Sequence, residues 1–168
     1  MSFAFHQAAV PPILQILTSL SAILDKAVKH CEARKIDPAV LLNFRLAPDM
    51  FPLTRQVQIM TDQAKGMAAR LAGLEVPAYA DTEASFADLK ARIAKTIDFV
   101  KSVDRAAIDA GADRAVTLKA GNTELKFTGR DYLTSFVFPN FYFHATTAYD
   151  ILRHCGVELG KRDFLGIS

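Results

Sequence analysis

The sequence has no tryptophan and only two cysteines. Cys31 and Cys155 are too few for a disulfide scaffold, and neither belongs to a CxxC motif. Both fall on inward-facing helix positions, so they are expected as buried free thiols in a reducing compartment. An excess of one charge is missing too: 20 basic against 18 acidic residues leave a formal charge of +2. No basic cluster stands behind it, and a nucleic-acid binder needs one to displace counterions. No nucleic-acid partner is therefore expected. Catalytic signatures are also absent. There is no P-loop, GxGxxG or HExxH, no GxSxG, and no Glu-x-x-His of the di-iron bundles. Asp49, Asp62, Asp131 and Asp150 form no paired-carboxylate motif.

Long apolar runs with the marks of a leader or a span are missing as well. No Lys, Arg, Asp or Glu precedes Asp25. Yet no basic residue leads that run, no small-residue cleavage site follows it, and its apolar residues are periodic. The uncharged run 133–149 contains Asn140, His144, Thr146 and Thr147, and is short against the roughly 20 residues of a membrane span. The expectation is a cytoplasmic protein with no membrane segment.

What is present is helical periodicity. The 168 residues, 51% apolar and 23% charged, suit one folded domain over 1–168. Helix one is predicted over 11–33, with Val10, Leu14, Leu17, Ser21, Leu24, Val28 and Cys31 on one face and Ile13, Leu20 and Ala27 widening it. Pro11 and Pro12 fit its start, where a missing N–H costs nothing. Residues 34–51 form a long connection with a short helix over 38–43 behind Asp37-Pro38. Helix two is predicted from Pro52 to Gly73, a C′ glycine, with Leu53, Val57, Met60, Ala64, Met67 and Leu71 inward. Helix three covers 83–103, capped by Asp81 or Thr82. The stretch 116–128 reads as a β-hairpin turning at Ala120-Gly-Asn-Thr, too small to stand without helices beneath it. Helix four covers 130–155, opened by Thr128 and Asp131 as a capping-box variant and bent at Pro139. The expected fold is all-α in the main: a four-helix bundle with a short β-hairpin between helices three and four.

Helix four carries the most informative face. Leu133, Val137, Asn140 or Phe141, His144, Ala148, Ile151 and Cys155 fall on steps of three and four. His144 sits at the centre of this apolar stripe. Asn140 lies one turn before it and Thr147 nearly one turn after. Pro139 also deprives the Ser135 carbonyl of its usual donor, so a polar partner is expected there. Tyr142 and Tyr149 flank the stripe. On helix two, Gln56 and Gln63 lie beside the core face and could meet His144 across the bundle, while Asp62 points away, toward solvent or an interface. The candidate ligand-binding residues are therefore Asn140, His144, Thr147, Gln56, Gln63 and Tyr149, with His144 the candidate catalytic group. A histidine that merely packs and bonds to its neighbours gives the same pattern. His30 and His154 lie in last turns, where a cation complements the helix dipole; His6 precedes helix one.

Three segments together resemble a bacterial family of unknown function in the DinB/YfiT-like superfamily of proposed metalloenzymes. They are Arg45-Leu-Ala-Pro-Asp-Met-Phe-Pro52, the run from Pro139-Asn-Phe-Tyr-Phe-His144 to Arg153-His154, and Gly160-Lys-Arg-Asp-Phe-Leu-Gly166. The resemblance covers essentially the whole chain. It implies a four-helix bundle and a homodimer. In that superfamily many members bind nickel or zinc through three histidines, one on helix two and two a turn apart on the last core helix. Some relatives are thiol-dependent transferases. Carried over by position, His144 matches. Ala148 and Asn140 stand a turn to either side, and helix two has no histidine. No cofactor is therefore expected. A divalent metal, which would use His144, is disfavoured by the missing ligands. The first functional reading is a metal-free bundle that binds a small molecule, or serves as an accessory protein, with a polar pocket around His144. The alternative is a metal- or thiol-dependent transferase or hydrolase with His144 as ligand or general base and Asn140 orienting it. A dimeric interaction scaffold is the further alternative.

Overall fold

The computed structural model describes residues 4–167. In chain order the elements are α1 (Phe5–Arg34), α2 (Pro38–Leu42), α3 (Leu53–Ala72), α4 (Phe86–Ser102), α5 (Arg105–Asp109), β1 (Ala115–Ala120) and β2 (Thr123–Thr128). They are followed by α6 (Gly129–Asp131), a π-helical segment Tyr132–Val137, α7 (Phe138–His154) and α8 (Lys161–Leu165). The long helices α1, α3, α4 and α7 form the expected four-helix bundle.

Packing fixes the helix order, which periodicity left open. The α3 helix lies mainly against α7 and α4, while α1 lies against α4 and α8 and barely touches α3. So α1 and α3 are diagonal, and the 35–52 connection crosses one end of the bundle. Side-chain pairs give the directions. The His6 N–H donates to Asp109 Oδ1 at 2.7 Å, and Asp25 pairs with Lys90, so α1 and α4 are antiparallel. Gln58 meets Glu83 near the starts of α3 and α4, and the Leu71 carbonyl in the last turn of α3 meets Arg114 Nε beyond the end of α4, so those two are parallel. Gln56 meets His144 and Arg70 meets Tyr132, which makes α3 and α7 antiparallel.

Several boundaries differ from expectation, each for a local reason. The α1 helix starts at Phe5, so Pro11 and Pro12 sit inside it rather than at its head. Ala9 and Val10 are buried there, and burial with the Asp109 contact outweighs two missing donors near the helix start. Its core stripe is also turned, with Ile16 and Ile23 buried while Leu14, Ser21 and Val28 are only partly so. Among the described residues α1 is the one helix long and apolar enough to cross a membrane, but half of its most apolar window is buried inside the bundle. The α4 helix begins at Phe86 and is capped by Ser85, whose Oγ accepts from Asp88 N at 3.1 Å. Asp81 is unavailable as the cap because Arg92 and Arg55 hold its carboxylate, and Thr82 lies outside the helix, in the stretch before Ser85.

The hairpin pairs Val116 with Phe127 and Leu118 with Leu125 and turns at Gly121, whose φ is +58°. It packs as required: Val116 is buried, and the Phe127 ring lies 6.2 Å from Tyr132 and 5.7 Å from Phe136. Its base is held by Arg130 N donating to Ala112 O at 2.9 Å. Two glycines permit this approach. A Cβ on Gly129 would lie 1.9 Å from the Gly111 carbonyl oxygen, and one on Gly111 would lie 2.0 Å from the Leu71 carbonyl oxygen. The obstacle is backbone on both sides and cannot swing away. Gly129→Ala should therefore cost about 1–3 kcal/mol, lowering the midpoint by about 2–4 °C per kcal/mol in a chain of this size. Thermal unfolding followed by circular dichroism measures it, and an unchanged midpoint would refute the contact.

Candidate functional site

His144 reaches its position through an irregularity that ends two turns earlier. Pro139 has no N–H and its ring crowds the carbonyl four residues back. The preceding segment widens: Phe138 N donates to Leu133 O, five residues back, and 132–137 is π-helical. Such single turns often mark functional places. The expected polar partner lies one carbonyl beyond Ser135, where Asn140 Nδ2 donates to Phe136 O at 2.7 Å. Asn140 therefore steadies the backbone and makes no bond to His144.

Beyond this turn α7 lays Phe141, His144, Ala145, Ala148 and Ile151 against the core. His144 keeps 8% of its surface exposed. Its Nδ1 lies 2.6 Å from Gln56 Oε1, on the first turn of α3. Gln56 Nε2 donates to Phe51 O at 2.9 Å. That second bond settles the roles. The Gln56 amide must turn its NH₂ to the Phe51 carbonyl and its oxygen to the ring, so Nδ1 carries the proton and donates. Nε2 is then left with a lone pair. Among the described residues the sole fully buried side-chain nitrogen or oxygen without a partner is His6 Nδ1. His144 Nε2 has no hydrogen-bond partner among the described residues and is not one of the fully buried atoms, so it keeps contact with solvent. Burial pushes the imidazole pKa down, and the nearby Arg55 charge pushes it further. The ring is a neutral acceptor near pH 7, able to take a hydrogen bond or a proton. Phe143 stands edge-on to it at 5.2 Å and is largely exposed, as is Phe51.

The other candidate residues lie elsewhere. Thr147 Oγ1 donates to Phe143 O at 2.7 Å, within its own helix. Tyr149 packs on Phe164 at 5.8 Å, facing α8. Gln63 lines a separate cavity of about 550 Å³ between α3, the 76–79 segment and the hairpin. None of the five cavities described in the structure is lined by His144. Sequence reasoning therefore brought together the one pair that meets, His144 with Gln56, and four residues that do not join it.

It missed the densest polar cluster. Arg92 on α4 is 4% exposed. It donates from Nε to Thr61 Oγ1 at 2.7 Å, from Nη1 to Glu83 Oε1 at 3.0 Å and Ala80 O at 3.1 Å, and from Nη2 to Asp62 Oδ1 at 2.9 Å. Asp62, read from the sequence as pointing to solvent or an interface, also holds Lys65 at 2.7 Å and stays partly exposed. Burial alone would raise the Glu83 pKa, but hydrogen bonds from Arg92 and Gln58 outweigh it and hold the carboxyl low. The available signal was an arginine on an inward stripe, three after Leu89 and four before Thr96.

Residues 5–165 match the model of the family described as Domain of unknown function (DUF1993). The chain belongs to this family. Its DUF1993 fold superposes with a TM-score of 0.86 on the crystal structure of a DinB family member protein from Shewanella denitrificans. The two are 41% identical in sequence, over 96% of this chain and 91% of that one. No functionally curated protein matches the chain.

The three-histidine ion of the wider superfamily does not fit the donors of this DUF1993 chain. The ring meets an amide instead of a second imidazole, and through a nitrogen that carries hydrogen. Ala148 offers a methyl, and the Asn140 amide is engaged with Phe136 O. Among the described residues no three His, Cys, Asp or Glu side chains gather as a metal would need.

The buried neutral ring has a consequence for pH. Its folded pKa lies below the ordinary value of about 6.5, so in acid the unfolded chain binds the extra proton first. Its contribution to stability is complete above about pH 6.5 and is lost as pH falls toward the folded pKa. Urea unfolding between about pH 7.5 and pH 5 should show wild type losing more stability than His144→Gln. Parallel profiles would contradict a depressed imidazole.

Proposed function

We propose that this chain is a metal-free member of the DinB-like bundles that binds a small molecule at the His144–Gln56 pair. The ligand would place a hydrogen-bond donor on His144 Nε2 and an apolar part against Phe143. One observation carries this reading: the Gln56 amide, pinned by the Phe51 carbonyl, occupies Nδ1 and leaves Nε2 as the free acceptor. An amide at this place serves orientation, whereas a borderline-soft ion would prefer imidazole or thiolate. The chain's own thiols give no support to a cysteine nucleophile. Burial pushes both Cys31 and Cys155 up, and so toward the protonated form. Free thiols of this kind suit a reducing, cytoplasmic setting.

The test is elemental analysis of protein purified without chelator, followed by nickel, zinc and phenol titrations of wild type and His144→Ala. The reading expects no stoichiometric metal and no micromolar binding of either ion. It also expects phenol, a donor on an apolar ring, to shift the His144 ring resonances of wild type saturably. Stoichiometric metal in wild type that disappears in His144→Ala would overturn it in favour of a metal-dependent enzyme.

A further inference from the structure

The cavity of about 550 Å³ that Gln63 lines is built largely from cations and apolar walls. Lys65, Arg70 and Lys119 supply the positive charge, and Val76, Pro77, Tyr79, Leu118 and Phe136 the walls. Asp62 is the carboxylate among its lining residues, and it is already engaged by Lys65 at 2.7 Å and Arg92 at 2.9 Å. Lys65 is 6% exposed and rests over the Tyr79 ring at 4.0 Å. Neither Arg70 nor Lys119 has an acidic partner among the described residues.

Arg70 is held in place by the buried Tyr132. Its Nη1 donates to the hydroxyl of Tyr132 at 3.1 Å, and its guanidinium faces the Tyr132 ring. The side chain folds back along α3 over Gly66, where an added Cβ would lie 2.5 Å from Nη1. Glycine is the poorest residue after proline in a helix interior. Here it leaves the space that lets the guanidinium lie toward Tyr132 and the cavity. One nitrogen is engaged with Tyr132, which leaves the remaining N–H groups of the fork for an acceptor. A planar fork with spare donors and no carboxylate partner is suited to an oxyanion.

We propose that this cavity binds a small organic anion. Its phosphate or carboxylate is held by Arg70 with Lys65 and Lys119, and its apolar body lies against Tyr79 and Phe136. The site is separate from the His144 pair and stands or falls independently of it.

Isothermal titration with phenyl phosphate, benzoate and the uncharged benzyl alcohol tests the proposal and separates phosphate from carboxylate. At least one anion should bind saturably and benzyl alcohol should not. Arg70→Met should weaken binding about tenfold or more, and Arg70→Lys, which keeps the charge but loses the fork, should weaken it in part. Gly66→Ala gives the sharpest readout. The clash falls on the movable end of a side chain, so the thermal midpoint should hold or rise while anion binding weakens. No saturable binding of either anion at millimolar concentration would overturn the proposal. So would binding that survives both Arg70→Met and Gly66→Ala. Should Arg70→Met fail to fold, Gly66→Ala and Lys119→Met carry the same decision.

Discussion

The missing N–H of Pro139 is the constraint on which the site and the largest interface both depend. The buried positions Leu133, Val137, Phe141 and Ala145 follow one another in steps of four. On a regular helix each such step drifts by about 40°, because four residues exceed one turn of 3.6. Over three steps the stripe would leave the core. The π segment ending at Val137 takes up that drift, and it lies where proline prevents the regular ladder from closing. Its result is the phase of α7, and α7 lays that face on α3 more extensively than on any other element. His144 meets Gln56 because the helix was reset two turns earlier.

Much of the bundle was legible because its helices follow their apolar periods. The C′ role of Gly73, the Asp37 cap and the hairpin register around Gly121 came from local rules that tertiary packing left undisturbed. The errors fall where a long-range contact overrode a local signal. Pro11 and Pro12 suggested a helix start, but Ala9 and Val10 had core to fill. Asp81 and Thr82 suggested a cap, but Arg92 draws Asp81, Glu83 and the Ala80 carbonyl across the bundle face, and Ser85 takes over. The diagonal placement of α1 and α3 was invisible because a connection of that length permits either return.

The candidate site was half legible for the same reason. A histidine inside an apolar stripe needs a polar partner, and a glutamine beside the facing stripe is an obvious one. Asn140 and Thr147 share the helix with His144, yet each satisfies a carbonyl four residues back instead. This is the ordinary competition that short polar side chains enter on helices. Arg92 escaped because charge on an inward position reads as noise until its acids, scattered over Asp62, Asp81 and Glu83, are brought together. The two kinds of polar centre differ. Arg92 is saturated with partners and stitches α3 to α4, whereas His144 and Arg70 each retain hydrogen-bonding capacity that no described residue takes up.

The central claim is that His144 is a neutral imidazole with hydrogen on Nδ1 and a free lone pair on Nε2. Nitrogen-15 correlation spectra of histidine-labelled protein at pH 7 report that state directly. The account predicts a neutral His144 ring in the Nδ1–H tautomer in wild type, with that preference reduced in Gln56→Leu. A ring with hydrogen on Nε2, or one charged at pH 7, would contradict it.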